Sequence, residues 1–182
     1  MNKALFLDRD GIVNVDKCYV GHIADFEFMP GIFDALRIAQ KQNYLLFIIT
    51  NQSGIARGYY TEDDFLRLTT WMIGEFRKED VEITKVYHCP FHVDGVIPQF
   101  TGESQMRKPN PGMLLLAQQE YDLVLSESIM IGDKESDIEA GERAGVGHTI
   151  RVIQEDGTRS QAGTIIKSIF DLAPLLRRSD DD

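Results

Sequence analysis

The chain has 182 residues, 43% of them apolar, and carries 19 Lys plus Arg against 29 Asp plus Glu, a formal charge of −10. The apolar share excludes global disorder, and the length suits a single domain spanning 1–182 or a domain with a modest insert. The acidic balance argues against nucleic acid or an anionic membrane surface as partner, because both require a basic face.

The first residues, MNKALFLDRDG, lack the apolar stretch of about 7–15 residues that a secretory signal needs. No apolar run approaches the roughly 20 residues of a spanning helix. Lys3–Leu7 is a short apolar strand that ends at Asp8, Arg9, Asp10 and Gly11, with Gly11 favouring a sharp turn. After Pro30-Gly31, the residues Ile32, Leu36 and Ala39 fall at helical spacing. Residues 44–49 are apolar and rich in β formers, which predicts a strand buried on both faces and ending in the polar loop Thr50, Asn51, Gln52, Ser53, Gly54. Thr61 and Asp64 have capping-box spacing, and an amphipathic helix is predicted over 62–78. Trp71 and Met72 lie on or beside its apolar stripe, a core position.

Residues 83–87 read as a strand, and 89–110 as one long irregular stretch of the kind that is usually functional in a compact domain. Asn110-Pro111 starts a helix that runs to about Tyr121, with Pro at the first helical position. A strand at 128–131 ends at Gly132-Asp133, and a helix through Ile138, Ala140 and Ala144 stops at Gly145. Residues 149–153 form a further strand, Ser168 and Asp171 cap a last helix through Leu176, and 177–182 form a flexible tail. Strands alternating with helices imply an α/β fold around a mainly parallel sheet with right-handed crossovers.

Polar groups gather at the strand ends: Asp8 and Asp10, Thr50 and Asn51, and Asp133. Ligands of open α/β sheets bind beyond the carboxyl ends of the strands, so these groups can converge despite their separation in sequence. Lys108 adds a cation just before a helix. Carboxylates at close quarters repel unless a cation lies between them, and oxygen-only ligands suit a hard ion such as Mg²⁺. Mg²⁺ and a Lys together neutralise a phosphate, and a Thr hydroxyl can bond its oxygens. One carboxylate could then attack phosphorus while its neighbour two residues on handles the leaving-group proton. Each element also has a plain structural explanation. Asp-x-Asp-Gly is commonly a turn, Thr50-Asn51 a strand exit, Gly132-Asp133 a helix cap and Lys108 a solvated charge. Their occurrence together, in order and each at a strand end, favours a phosphoryl-transfer site.

At these residues the sequence resembles the haloacid-dehalogenase (HAD) superfamily of phosphatases. FLDRDG at 6–11, IITNQSGIARG at 48–58, RKPNPGM at 107–113 and IMIGDKESD at 129–137 resemble its four motifs, over roughly residues 3–153. Within the superfamily the resemblance is to the heptose-bisphosphate phosphatase branch, close kin to bacterial histidinol-phosphate phosphatases. It implies a three-layer sandwich with a minimal cap made of loops. It also implies that Asp8 is the nucleophile and Asp10 the general acid and then base, a role that requires Asp10 to start protonated. Mg²⁺ would be held by the carboxylates of Asp8 and Asp133 and the main-chain carbonyl of Asp10. Thr50 and Lys108 would steady the phosphoryl group, while Asn51, Gln52 and Ser53 line the substrate side. Arg107 would recognise a remote phosphate or sugar, its planar fork suiting phosphate. Asp16, Lys17, Cys18, Tyr19 and Lys134 would contact substrate. Asp137 is either a supporting carboxylate or the cap of the following helix.

The branch often carries a structural zinc in the loop before Arg107, held by Cys-x-His and Cys-x-Cys. Here Cys89 is present, but Phe91, Ser104 and Met106 occupy the other three positions. Structural zinc needs four soft or imidazole ligands, so no zinc is expected, even with His88 and His92 nearby. Packing, with Phe91 and Phe100 as candidates, has to hold the loop instead. Cys18 stands where the branch commonly has Gly. Arg57 either approaches the phosphates or lies on the surface, and His22 and His148 have no motif context.

The expectation is a Mg²⁺-dependent sugar-bisphosphate phosphatase that is cytoplasmic, because two cysteines make no disulfide framework, and a monomer by default. Its partner would be a small sugar phosphate, neither nucleic acid nor membrane. The rivals are a histidinol-phosphate phosphatase, a phospho-accepting receiver domain and a catalytically silent binding protein. A receiver carries its phospho-accepting Asp in mid-chain, whereas the candidate here is residue 8.

Overall fold

The computed structural model describes residues 1–154 and 158–178. Among the described residues six strands form one sheet in the order β3-β2-β1-β4-β5-β6, and all five pairings are parallel. They are β1 (Lys3–Leu7), β2 (Tyr44–Asn51), β3 (Ile83–Cys89), β4 (Ile129–Gly132), β5 (His148–Val152) and β6 (Thr164–Ile166). The helices are α1 (Ile32–Lys41), α2 (Ser53–Ala56), α3 (Glu62–Lys78), α4 (Gly112–Tyr121), α5 (Glu135–Ala144) and α6 (Leu172–Arg178).

Side chains alternate along a strand, so each strand feeds both faces of the sheet. Leu5, Leu7, Leu46 and Ile48 pack with α1, with Met72 and Phe76 of α3, and with Leu172 and Leu176 of α6. Ala4, Phe6, Phe47 and Ile49 face the other way, onto Met113, Leu114 and Ala117 of α4 and Ala140 of α5. The result is the expected α/β three-layer sandwich. Both faces of the central strands are covered, which is why β1 and β2 read as unbroken apolar runs. Met72 is fully buried and Trp71 packs against the same core, as their spacing predicts.

Several boundaries differ from the sequence reading. β2 runs on through Thr50 and Asn51 because these pair in register with His88 and Cys89, which extend β3 by the same two residues. α4 starts at Gly112, so Pro111 is the residue before the helix rather than its first. Ser128 lies outside β4; its Oγ accepts from Ala4 N and donates to Val124 O. α2 and β6 are additions that no periodicity of useful length signals. Of the expected tail, Arg177 and Arg178 belong to α6, and 179–182 lie outside the described residues. The capping box at Thr61 and Asp64 forms in both directions.

The strand order reverses at β1: β2 and β3 lie to one side of it, β4, β5 and β6 to the other. The crevice beyond the carboxyl ends of β1 and β4 is therefore the place where an α/β sheet receives a ligand. Two loop segments flank it. Residues 12–29 fold back through Val15 N to Glu27 O and Met29 N to Val13 O. Residues 92–107 are held by His92 N to Phe100 O and by Val96 N and Ile97 N, both donating to Ala56 O.

Candidate active site

Asp8 follows the last residue of β1, and its N–H donates to Ile131 O of β4, which ties the two strand ends together. Asp133 follows β4, and Asp137 lies in the first turn of α5. One ligand atom from each of Asp8, Asp133 and Asp137 lies within 4.8 Å of the others. Lys108 Nζ sits among them, 2.7 Å from Asp8 Oδ1, 2.7 Å from Asp137 Oδ1 and 2.8 Å from Ile49 O. Lys108 arrives from the irregular segment and is aligned by a reciprocal pair of bonds to the end of β2. Its N–H donates to Asn51 Oδ1 and its carbonyl accepts from Asn51 Nδ2, both at 3.0 Å.

The charges do not balance. Three buried or half-buried carboxylates face one ammonium. Burial, with Asp137, Asp133 and Asp10 close by, pushes Asp8 well above the usual carboxylate range against the pull of Lys108. Burial and Asp137 likewise raise Asp133, with Lys134 opposing. Burial penalises the Lys108 charge, but Asp137 and Asp8 outweigh that penalty and hold it above the ordinary lysine range. Asp133 Oδ1 is buried without a hydrogen-bond partner. An all-oxygen donor set with excess negative charge and an orphaned carboxylate oxygen fits a hard divalent cation such as Mg²⁺.

Asp137 performs both roles left open by the sequence. Its Oδ2 accepts from Lys134 N at 3.0 Å as the cap of α5, and its Oδ1 pairs with Lys108. Asp10 is gripped on both oxygens: Arg9 Nη2 donates to Oδ1 at 2.8 Å, Asn14 Nδ2 to Oδ1 at 3.1 Å and Gln52 Nε2 to Oδ2 at 3.1 Å. Arg9, Asn14 and Tyr60 escaped the sequence reading. Arg9 is 1% exposed, a signal that only burial provides.

A cavity of about 560 Å³ opens above these groups. Asp8, Asp10, Asp16, Cys18, Tyr19, Asn51, Gln52, Ser53, Arg107, Lys108 and Lys134 all line it, joined by Tyr60, Pro109, Ser136 and Asp137. Three expected residues lie elsewhere. Thr50 is fully buried beneath the floor, with its Oγ1 accepting from Gln52 Nε2 at 2.7 Å. Lys17 turns outward to Glu27, 2.9 Å away. Asp133 borders an adjoining cavity that shares Asp16 with the first.

Arg107, which lines the same cavity, is half-buried, and its Nη1 donates to Phe91 O at 3.2 Å. Arg57 lies 3.3 Å from His92 Nε2, and burial together with Arg107 and Arg57 lowers the affinity of His92 for a proton. In the loop that leads here, Phe91 and Phe100 meet edge to face at 5.9 Å. Ser104 accepts from Met106 N, Arg107 N and Asn110 Nδ2. His88 pairs with Glu62, and His92 Nδ1 accepts from Asp94 N. His22 and His148 are exposed, and His148 contacts Thr164.

No described helix is long and apolar enough to cross a membrane. A HAD-hydrolase-like family model matches residues 105–166. The D-glycero-alpha-D-manno-heptose-1,7-bisphosphate 7-phosphatase of Burkholderia mallei is 48% identical over 96% of this chain and 94% of its own length. The enzyme of the same name from Campylobacter jejuni is 54% identical over 84% of each chain. The D-glycero-beta-D-manno-heptose-1,7-bisphosphate 7-phosphatase of Haemophilus influenzae is 43% identical over 98% of each. Among solved structures, a HAD-like phosphatase from Mesorhizobium loti superposes with a TM-score of 0.86 at 34% identity, covering 97% of this chain and 87% of its own. A D,D-heptose 1,7-bisphosphate phosphatase from B. bronchiseptica, complexed with magnesium and phosphate, shares the fold with a TM-score of 0.84 at 24% identity, covering 97% and 99%. Four ordered motifs, a carboxylate cluster at the sheet's switch point and relatives of this identity along almost the whole chain converge: the protein is a phosphatase of the HAD superfamily and belongs to the family of the heptose-bisphosphate 7-phosphatases.

Proposed function

We propose that this chain, acting as one catalytic domain, removes the C7 phosphate of D-glycero-D-manno-heptose 1,7-bisphosphate with Mg²⁺ as cofactor. The observation that carries the reading is the shared cavity. Asp8, Lys108 and Arg107 all line it, so one volume offers a reacting site and a second anion-binding group. The named activities of the relatives support the same substrate, although those relatives include enzymes for both anomers.

Asp8 and Asp133 would hold the cation through their carboxylates and Asp10 through its main-chain carbonyl; bound there, it neutralises the phosphate and polarises it toward attack. An Asp8 carboxylate oxygen attacks phosphorus in line. The bond from phosphorus to the C7 oxygen breaks, and Asp10 gives that oxygen its proton. Water then attacks the aspartyl phosphate and passes a proton to Asp10. The bond from phosphorus to Asp8 breaks, leaving inorganic phosphate and both carboxyl groups restored. Lys108 compensates charge on the transferring group, and Asn51 fixes Lys108. Arg107 engages the C1 phosphate, which leaves the C7 end over Asp8. The reaction belongs to the reducing cytoplasm, where the free thiols of Cys18 and Cys89 stay reduced.

A phosphate-release assay over both heptose 1,7-bisphosphate anomers and histidinol phosphate, with Mg²⁺ and with chelator, tests this. The expected result is Mg²⁺-dependent multiple turnover with the higher kcat/KM on a heptose bisphosphate. Preference for histidinol phosphate, or full turnover in chelator, overturns it.

A further inference from the structure

Tyr60 is 6% exposed and lines the active-site cavity from the turn between α2 and α3. Its ring is clamped between two glycines. A Cβ built on Gly21 would come within 2.3 Å of Tyr60 Cγ, and one on Gly54 within 2.3 Å of Tyr60 Cε1. No other residue type at 21 or 54 leaves room for the ring where it stands. The hydroxyl donates to Gln52 Oε1 in a short hydrogen bond. Gln52 is itself 1% exposed, and its Nε2 divides between Asp10 Oδ2 at 3.1 Å and Thr50 Oγ1 at 2.7 Å. Tyr60, Gln52 and Asp10 are thus linked in series, and the whole amide of Gln52 is used. Burial raises the Tyr60 hydroxyl well above its ordinary range, so it remains a donor at any working pH.

We infer that Tyr60 is a positioning residue for the proton transfer: acting through Gln52, its hydroxyl fixes the pose of the Asp10 carboxylate. This rests on the reading of Asp10 as the group that protonates the leaving oxygen. A buried carbonyl oxygen without a donor is costly. Without the hydroxyl, Gln52 turns to find another donor, and the longer of its two Nε2 bonds, the one to Asp10, is the first to be lost. Small displacements of a proton-transfer group are expensive in rate.

The test compares two leaving groups. The C7 alcohol must be protonated as it departs, whereas p-nitrophenolate leaves without a proton. Tyr60→Phe keeps the clamped ring and removes only the hydroxyl. Expected are a fall of about tenfold in kcat on the heptose bisphosphate, KM within about twofold, and a pre-steady-state burst of p-nitrophenolate from p-nitrophenyl phosphate within about twofold of wild type. Adding Tyr60→Phe to Gln52→Ala should cost nothing beyond the loss that Gln52→Ala alone shows on the heptose bisphosphate. Equal losses on both leaving groups, a rise in KM at unchanged kcat, or additive losses in the double variant overturn the proposal. Asp10→Asn run alongside separates the two levels. If it loses no more on the heptose bisphosphate than in the burst, the reading of Asp10 fails and this proposal with it. If it shows the split while Tyr60→Phe behaves as wild type, only the role of Tyr60 is lost.

Discussion

A Cβ placed on Gly11 would lie 2.4 Å from Oδ2 of Asp133, closer than any real side-chain contact. Gly11 also has φ +92°, a conformation that costs other residues dearly. The turn after β1 is therefore shaped around a carboxylate supplied by β4, 122 positions on. Gly11→Ala should displace Asp133, raise the Mg²⁺ concentration needed for half-maximal activity at least about tenfold, and cost about 1–3 kcal/mol of stability. Mg²⁺ titration of activity and urea unfolding would measure the two effects.

Asp8→Asn removes the nucleophile while keeping the shape of the side chain. Activity should fall by at least about 10³-fold. Because the lost charge is buried among Asp137, Asp133 and Asp10, the metal-free variant should unfold no earlier than wild type. Turnover near the wild-type level in a sample verified free of deamidation would refute the assignment.

The Asp8–Asp133 cluster should add to the metal-free protein a pH-dependent contribution of definite sign, opposite to that of Asp64, Glu82, Glu120 and Glu135, whose hydrogen bonds hold them below the usual carboxylate range. Asp8 and Asp133 bind protons more tightly in the folded state than in the unfolded chain. Between the ordinary carboxylate range and their raised values, the folded state thus holds more protons, so stability falls as pH rises. Thermal unfolding in chelator should show the Tm of wild type falling relative to that of Asp8→Asn upward from about pH 4. Mg²⁺ should recover the loss by binding only the folded form. A wild-type Tm that climbs relative to Asp8→Asn across this window contradicts the crowding of carboxylates.

Lys108→Met deletes the ammonium that Asp8, Asp137 and Ile49 O share. Two buried carboxylates then lose their common partner, a change worth about 3–5 kcal/mol. Urea unfolding should register that loss, and kcat should fall with it.

The loop before Arg107 should need no zinc. Metal analysis of the purified protein is expected to find none in stoichiometric amount, and about one tightly held zinc per chain would overturn this. Phe100→Ala removes the edge-to-face partner of Phe91. Since Phe91 O receives Arg107 Nη1, the expected effect is a KM raised several-fold with kcat nearly unchanged.

Much of the architecture is written in local patterns. β1 and α3 begin and end where apolar period and capping chemistry predict. The motif carboxylates Asp8 and Asp133 and the pair Thr50-Asn51 lie at strand ends, and eleven of the fourteen expected site residues line one cavity. Less legible were features that depend on neighbours distant in sequence. β2 is two residues longer than its apolar run because β3 offers partners for Thr50 and Asn51. Lys17 sits within a stretch that lines the cavity yet turns away to Glu27, a choice of side-chain direction that no motif encodes.

By itself the sequence determined the chemistry and the layers: which carboxylates, hydroxyl and lysine are present, in what order, and on which periodic elements they ride. Such information is local, carried by residue type and spacing. The tertiary structure alone decided that Asp137 both caps α5 and pairs with Lys108, that Arg9 is buried against Asp10, and that Tyr60 reaches Asp10 through Gln52. Those facts are distances between groups brought together by strand order, and burial then sets how strongly their charges and hydrogen bonds act on one another.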